Sequence, residues 1–520
     1  SDSTPPPRLS CWGPLIFQTR SQILPFPQDL RPRLPTIVGN VDYQLLRQCL
    51  EHIDALLIRS GTERKFVEAA LERWGKESKR SKSSAKQQTR FQRRSQRALR
   101  CTVLRTLLQE DVRSFSCTLA GNPLFQWFCH IDAIDRVRVP SKSELQRFAQ
   151  WLPEAQMREV VNHLLRCALE KPGQLRIETA LDLDDYFVDS TCVKADIHFP
   201  TDWVLLRDGV RTLMKATLLI RKAGLKCRME GPEEFLARMN RMAMEMTQQS
   251  RRCGGKKERK KVLRKMKRLV GSVRAHARRH RDLLDKDWQK TEWSRKQAEQ
   301  VLRRIDRILD LLPKAQKQAH ERIVGNRPVT NAEKILSLYD TDVRVIVRGK
   351  AGAEVEFGNT LLLGENRQGV ILDWRLFQEQ APADNQVLFE SLLRIEENLG
   401  QRVKAVATDR GFASVANRKA LLEGGTFDAT CPRNPKELRE RMKEKRFASM
   451  QRRRGQTEAR ISIFKRGFLG RPMRAKGFEH RQLALAWGVL THNLWMLGRM
   501  TDRKSTRLNS SHVALSRMPS

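Results

Sequence analysis

The sequence predicts an α/β layered domain with one large helical insertion, preceded by an all-α N-terminal domain. Three observations predict it. Short runs rich in β-branched and aromatic residues fall in two places, Tyr186 to Val193 and Val343 to Ala407. Between them, about 213–324 is helical in period and heavily charged. Before Gly173 the apolar spacing is helical, with no alternating run. An interrupted set of strands followed by helices is an α/β layer with an insertion.

Residues 1–40 are rich in proline (Pro5, Pro6, Pro7, Pro14, Pro25, Pro27, Pro32, Pro35) and read as an extended arm. From Val41 to about 172 the chain reads as a helical, DNA-binding domain. Leu45, Leu46, Cys49, Ile53, Leu56 and Leu57 form a broad apolar stripe. Lys76 to Arg97 is nearly devoid of apolar residues and is either a linker or a basic helix that tracks phosphates. Ser141 with Glu144 makes a capping box, and Pro153-Glu154 starts another helix. Phe125, Trp127, Phe128, Phe148 and Trp151 lie at helical spacing and read as core rather than as a base-stacking platform.

Asp182, Asp184 and Asp185 read as turn and strand-entry residues before the run that contains Asp189. In the insertion an apolar seam runs beneath the charge: Val262, Met266, Leu269 and Val273, then Val301, Ile305, Ile308 and Leu312. Two such stripes predict an antiparallel helical hairpin, each burying the other. His276 and His280, one turn apart with no third ligand nearby, read as part of a solvated basic face. Val343 to Val347, Val355 to Leu363 and Val370 to Trp374 are separated by glycines and read as a meander. A helix over Leu388 to Leu399, a strand over Val403 to Ala407 and a helix near Ser414 to Leu422 follow. A loop rich in Pro and Lys then leads to a helix over Gln451 to Lys465 and a last one over about Glu479 to Leu497. Residues 502–520 have no apolar period and resemble the translation of a sequencing adapter, so they are set apart from the fold.

Lys and Arg number 99 against 59 Asp and Glu, a formal net charge of +40. An excess that large points to a polyanion partner. A membrane surface is the rival, but no apolar run approaches the roughly 18 residues of a spanning helix. No basic-then-apolar secretory layout opens the chain. Ten cysteines without a C-x-x-C pair fit a reducing cytosol rather than a disulfide framework or structural zinc. Lys256, Lys257, Lys260 and Lys261 lie in the densest basic run, Arg251 to Arg268, broken only by the acid Glu258. They are the expected duplex contacts of the insertion.

The chemistry centres on Gln451 to Lys465. On one continuous helix Arg454, Glu458 and Lys465, at i, i+4 and i+11, share a face, and Ile461 and Phe464 share a buried stripe. A lone Glu between two cations is usually a solvated ion-pair ladder. Its company changes that reading: Asp189 and Asp409 each interrupt or end an apolar strand upstream. Asp, Asp and Glu from a strand, a strand and a helix can assemble a two-metal phosphoryl-transfer site.

Together these motifs resemble a DDE transposase of bacterial insertion sequences, nearest the ISNCY-type branch. Val188-Asp189-Ser190-Thr191 is similar to the first-strand aspartate motif. Arg348-Gly349-Lys350 followed by Val355-Glu356-Phe357-Gly358 is similar to the strand pair leading to the second aspartate. Ala407-Thr408-Asp409-Arg410-Gly411-Phe412 is similar to the second-aspartate motif. Arg454-x3-Glu458-x6-Lys465 has the spacing of the Y-R-E-K signature, with Gln451 where the tyrosine belongs. Asn122 to Leu169 resembles the N-terminal domain of such enzymes more weakly.

The resemblance implies a ribonuclease-H-like catalytic domain over 173–500. It implies cleavage of insertion-sequence ends and joining of the 3′-hydroxyls to target DNA, with two Mg²⁺ ions and Mn²⁺ as a substitute. Asp189 is implied as the bridging ligand, with Asp409 and Glu458 each holding one ion. Arg454, Lys465 and Arg410 are implied to contact DNA phosphates. The implied setting is duplex DNA (transposon ends and target), a homodimer or larger assembly on DNA, and the nucleoid in a bacterial cytoplasm. A tyrosine recombinase is also basic, but it needs a late nucleophilic tyrosine, and Tyr43, Tyr186 and Tyr339 are the only three. An inactive or domesticated DNA-binding derivative is the alternative from another class.

Overall fold

The computed structural model describes residues 26, 29, 31, 33–77, 84–131, 137–350 and 353–501, with side chains omitted for 348–354. Most of the proline arm, the middle of the Lys76 to Arg97 run, the Arg348 to Lys350 side chains and the segment 502–520 therefore lie outside the described residues.

Among the described residues eight helices come first: α1 (Val41–Arg59), α2 (Thr62–Glu77), α3 (Ala85–Leu108), α4 (Val112–Gly121), α5 (Pro123–Phe128), α6 (Lys142–Phe148), α7 (Glu154–Glu170) and α8 (Pro172–Leu175). Side-chain oxygens close their N-terminal amides: Asn40 caps α1, Ser84 forms a capping box with Gln87 on α3, and Ser141 caps α6. The described part of the Lys76 to Arg97 run after Ser84 is helix, with Gln92, Ser95 and Gln96 buried on its inner face. Phe125, Phe128 and Phe148 are buried core, while Trp127 and Trp151 are half-buried at its edge. Arg100 is fully buried, with its charge answered by Asp54 at 2.5 Å and Glu63 at 2.6 Å.

Strand β1 (Asp185–Lys194) opens the sheet. Four helices then intervene: α9 (Asp202–Lys222), α10 (Pro232–Arg251), α11 (Lys256–Asp287) and α12 (Arg295–Ile323). The predicted hairpin is thus a four-helix unit that begins at Asp202, earlier than expected. Two amphipathic stripes leave apolar flanks uncovered, and Leu206, Val210 and Leu213 of α9 with Phe235 and Met239 of α10 cover them. His280 departs from its solvated reading, for it is fully buried. Its Nδ1 donates to His276 O at 2.8 Å and its Nε2 accepts from the Cys227 amide at 3.4 Å.

The sheet resumes with β2 (Arg344–Lys350), β3 (Ala353–Asn366) and β4 (Ile371–Leu376), the predicted meander. Lys194 of β1 and Arg344 of β2 both sit opposite Gly358 of β3. The insertion therefore leaves and returns two strand spacings apart, about 10 Å. Next come α13 (Asp384–Leu399), β5 (Ala405–Ala407), α14 (Val415–Glu423), β6 (Phe427–Asp428), α15 (Pro435–Arg441), α16 (Lys445–Arg454), α17 (Thr457–Phe464) and α18 (Phe478–Arg499). The loop expected before Gln451 thus holds a strand and two helix starts. The six strands form one mixed sheet in the order β2-β3-β1-β5-β6, with β4 also on β3. β1 is antiparallel to β3 and parallel to β5, and β5 is parallel to β6.

One continuous apolar core joins α1–α7, one sheet face, α13 and α18. The insertion keeps a core of its own. A buried ion pair between Arg481 of α18 and Asp340 fastens the chain just after the insertion to the sheet side. Gly364 sits opposite Val188, and the Tyr186 ring lies across it: a Cβ there would fall 1.8 Å from the Tyr186 hydroxyl oxygen. Only glycine leaves room for that ring.

Candidate active site

Alternation along β1 sends Phe187, Asp189 and Thr191 to one face of the sheet. Tyr186 and Val188 face the other way into the main core, where the Tyr186 hydroxyl meets Ser391 of α13 at 2.7 Å. β5 is only three residues long, entirely buried, and parallel to β1 with Ala407 level with Phe187. The pairing stops there: Asp409 lies two residues beyond the end of β5, and Asp189 two residues further along β1. The carboxyl ends of parallel strands are where an open α/β sheet offers a site.

Asp409 is held as the cap of a single 3-10 turn, its Oδ1 accepting from the Gly411 amide at 2.8 Å. A Cβ on Gly411 would stand 2.8 Å from Asp384 Oδ2 and 3.1 Å from Asp409 Oδ1. Asp384, at the N-terminus of α13, is therefore a further carboxylate beside the loop. No motif marked it, and the expected helix began only at Leu388, one turn later than α13 does.

The expected continuous helix over Gln451 to Lys465 does not form. α16 ends at Arg454, the chain turns at Gly455 and Gln456, and α17 begins at Thr457. Phe447 and Met450 of α16 pack with Phe187, Ala405, Ala407 and Ala429 on the sheet. Ile461 and Phe464 of α17 enter the main core instead. Unbroken, the helix points all four side chains at one partner; the turn lets each half meet its own.

The two helices follow β1. The Arg453 guanidinium lies 4.6 Å over the Phe187 ring. Lys465 Nζ donates to Thr191 Oγ1 at 2.8 Å and to Cys192 O at 3.1 Å. Between these anchors, Arg454 and Glu458 bear on Asp189. Burial is the main cause pushing the Asp189 carboxyl up to about 6; the charges of Asp409 and Glu458 add to the rise, and the Ser190 amide and Arg454 oppose it. Three of the sequence-predicted carboxylates thus share one electrostatic neighbourhood with Arg454. Glu458 and Arg410 are exposed, whereas Asp189, Asp409, Arg454 and Lys465 are half-buried. Lys465 is engaged with β1 at Thr191 and Cys192, so it ties the end of α17 to the strand. Lys256, Lys257, Lys260 and Lys261 lie apart, at the start of α11. Lys260 is half-buried, the other three are exposed, and Lys261 pairs with Glu258 at 3.0 Å.

A second layer, which the sequence reading missed, supports the helix break. Glu365 of β3, opposite Phe187, is buried, with Arg453 Nη2 at 2.9 Å and Arg460 Nε at 3.9 Å from its Oε1. One carboxylate thereby holds an arginine from each side of the turn. Burial raises its pKa while both guanidiniums lower it. The only trace of this in the sequence is that Arg453 and Arg460 are seven apart.

Among the described residues no group of three or more His, Cys, Asp or Glu is gathered closely enough around one point to hold a metal ion. A pair of ions shared as Asp189 to both, Asp409 to one and Glu458 to the other asks for a wider spread of carboxylates than one coordination sphere does. Three carboxylates offer the hard oxygen donors that suit Mg²⁺, and the mutual repulsion of Asp189 with Asp409 and Glu458, which adds to the effect of burial, is what a cation would relieve. At the opposite strand ends, a cleft of about 400 Å³ is lined by Asp182, Asp184, Asp185, Arg367, Lys404, Arg446 and Ser449. Its charges answer one another, Asp185 with Arg367 at 2.6 Å and Asp184 with Lys404 at 2.7 Å. No helix among the described residues is long and apolar enough to cross a membrane. No family model, curated protein or solved structure matches the chain.

Proposed function

We propose that the chain is a metal-dependent DNA strand-transfer enzyme of the DDE transposase kind, with a ribonuclease-H-like catalytic domain. The observation that carries this reading is the convergence on Asp189. A strand, the end of its parallel neighbour and a helix more than 260 residues downstream bring two further carboxylates and an arginine to bear on it. The resemblance of the four sequence motifs names the same residues. The net charge of +40 supplies the attraction for a polyanion.

In this reading Asp189, Asp409 and Glu458 hold two Mg²⁺ ions, with Mn²⁺ able to replace them. When bound, the ions activate the attacking oxygen and stabilise the leaving one. The chain's own contribution is placement. The 3-10 turn after β5 holds Asp409, and the anchors at Phe187 and Thr191 hold the segment carrying Arg454 and Glu458 along β1. Arg454 and Arg410 offer cations to phosphates entering beside the carboxylates. Lys256, Lys257, Lys260 and Lys261 supply phosphate contacts along a duplex that carry no sequence information. Assembly on DNA as a dimer or larger, and a place at the bacterial nucleoid, belong to the same proposal.

The test is cleavage of a duplex ending in the inverted repeats recovered from DNA flanking the gene. Mg²⁺ and Mn²⁺ are expected to support cleavage by the wild type, Ca²⁺ to permit assembly without chemistry, and Asp409→Ala to be inactive but still bind DNA. Full activity in chelator removes the two-metal reading. Metal-independent binding without any cleavage supports the alternative, a DNA-binding derivative of such an enzyme.

A further inference from the structure

Gln451 stands where the signature has tyrosine, and its amide is fully used. Nε2 donates to Thr408 O at 3.3 Å and to Ala429 O at 2.5 Å, while Oε1 accepts from Arg454 Nε at 3.2 Å. Thr408 is the residue between β5 and Asp409, and Ala429 directly follows β6. Both carbonyls lie at the end of the sheet: β6 is two residues long, and its exit is held to the β5 side by Ala429 N to Val406 O at 2.8 Å and Cys431 N to Thr408 O at 3.1 Å. We infer that Gln451 is a positioning residue that locks the Arg454 guanidinium to the strand end presenting Asp409. The inference rests on the active-site reading above and adds to it a residue that touches neither DNA nor metal.

The chemistry of the side chain supports this role. Bridging two carbonyls takes two N–H donors, and holding an arginine takes an acceptor. A primary amide has all three, whereas a phenol has one donor and a carboxylate has none. Asparagine has the same groups on a stem one carbon shorter. The contact from Gln451 to Arg454 spans one helical turn at the end of α16, immediately before the chain turns at Gly455. Arg454 is the last residue of that helix. Without the amide, Arg454 keeps its charge but loses the tether fixing that charge relative to β5.

The test uses the full chain with Gln451→Leu, Gln451→Glu, Arg454→Leu and the double variant Gln451→Leu/Arg454→Leu. Single-turnover cleavage in Mg²⁺ is expected to slow by about 10- to 100-fold in Gln451→Leu, the scale of a small misplacement of a catalytic group, with DNA affinity unchanged. Gln451→Glu is expected to be no better, since it repels both carbonyls. The double variant is expected to cleave no more slowly than Arg454→Leu alone, because one residue acts through the other. Wild-type cleavage by Gln451→Leu, or losses that multiply in the double variant, overturn the inference. A merely structural role lowers the folded fraction and leaves the rate per folded molecule unchanged. Hydrogen exchange gives an answer that does not depend on activity: Gln451→Leu is expected to speed exchange at 409–413 and 451–458 together and leave β1 and β3 protected. If the wild type cleaves nothing, the enzymatic reading fails while this measurement still decides the bracket. Unchanged protection in both segments refutes it. Should Gln451→Leu fail to fold, Gln451→Met takes its place in both measurements.

Discussion

Helix α11 runs unbroken for 32 residues, whereas α16 and α17 are separated by a turn after only ten. Both stretches show an apolar stripe at helical spacing. The stripe of α11 meets α9, α10 and α12, a set of neighbours that form one core along its length. The stripe of α16 and α17 meets two surfaces, the sheet face at Phe187 and then the main core behind α18. A helix can stay straight only while one partner surface continues beneath it. The difference is that a stretch serving two partners turns between them, and the turn re-aims its side chains. Arg454 and Glu458 stand on either side of that turn.

The sharpest way to break the comparison is to remove the carboxylates. Alanine at Asp189, Asp409 or Glu458 is expected to bring strand cleavage to background while DNA binding persists, since phosphate contacts elsewhere carry affinity. A single variant that cleaves normally takes its residue out of the site. The matching change in the insertion, Lys256, Lys257, Lys260 and Lys261 all to Glu, is expected to do the reverse. It should weaken binding to every duplex and flatten the slope of log affinity against log salt by about 3 to 4 units, at roughly 0.9 per contact. Cleavage at saturating DNA and the helical circular dichroism signal should survive. An unchanged slope, measured by titration across salt concentrations, moves the DNA path off α11.

A smaller effect separates the regions by stability. The Asp189 pKa of about 6 lies above the ordinary 3.8, so the folded chain holds an extra proton between those values. Stability therefore falls as pH rises through that window, and above it the ionised carboxylate costs about 3 kcal/mol. Asp189→Asn is expected to gain up to that amount in urea unfolding at pH 8 without divalent metal, and nothing below pH 3.8. Mg²⁺ should stabilise the wild type and not the variant. Equal midpoints at both pH values would contradict the crowding of carboxylates. The least effect is in the insertion: burial holds the His280 pKa below the ordinary 6.5, so stability present above that value is lost as pH falls. His280→Gln is expected to blunt the acid sensitivity of the helical signal below pH 6.5, read by circular dichroism.

Much of this was legible in the residues alone. Helical signals placed α1, α7, α13, α14 and α18, and the β-branched runs placed β1 to β4, which are long enough to show their period; β5 is the short remnant of the strand expected over Val403 to Ala407. Periodicity also marked the insertion seam, though not the two further helices that cover it. β6 escaped because two residues have no period. His280 looked solvated because a charged helix hides which of its faces is covered. For the site, the types and order of Asp189, Asp409 and Glu458 were readable from local strand and helix signals.

Their meeting was not readable. It depends on β1 lying parallel to β5 with Phe187 level with Ala407, two residues before each aspartate, and on α16 and α17 lying along the same strand. Those are contacts between segments more than 200 residues apart, and a local window carries no information about them. The sequence by itself determined which side chains are available: hard carboxylates, a surplus of cations and an amide where a phenol was expected. Only the tertiary structure decided that the helix breaks at Gly455, that Glu365 takes an arginine from each side of the break, and that Gln451 faces Thr408 and Ala429. Packing decided these because the two cores beneath the stripe differ in position, and a backbone follows its buried side chains.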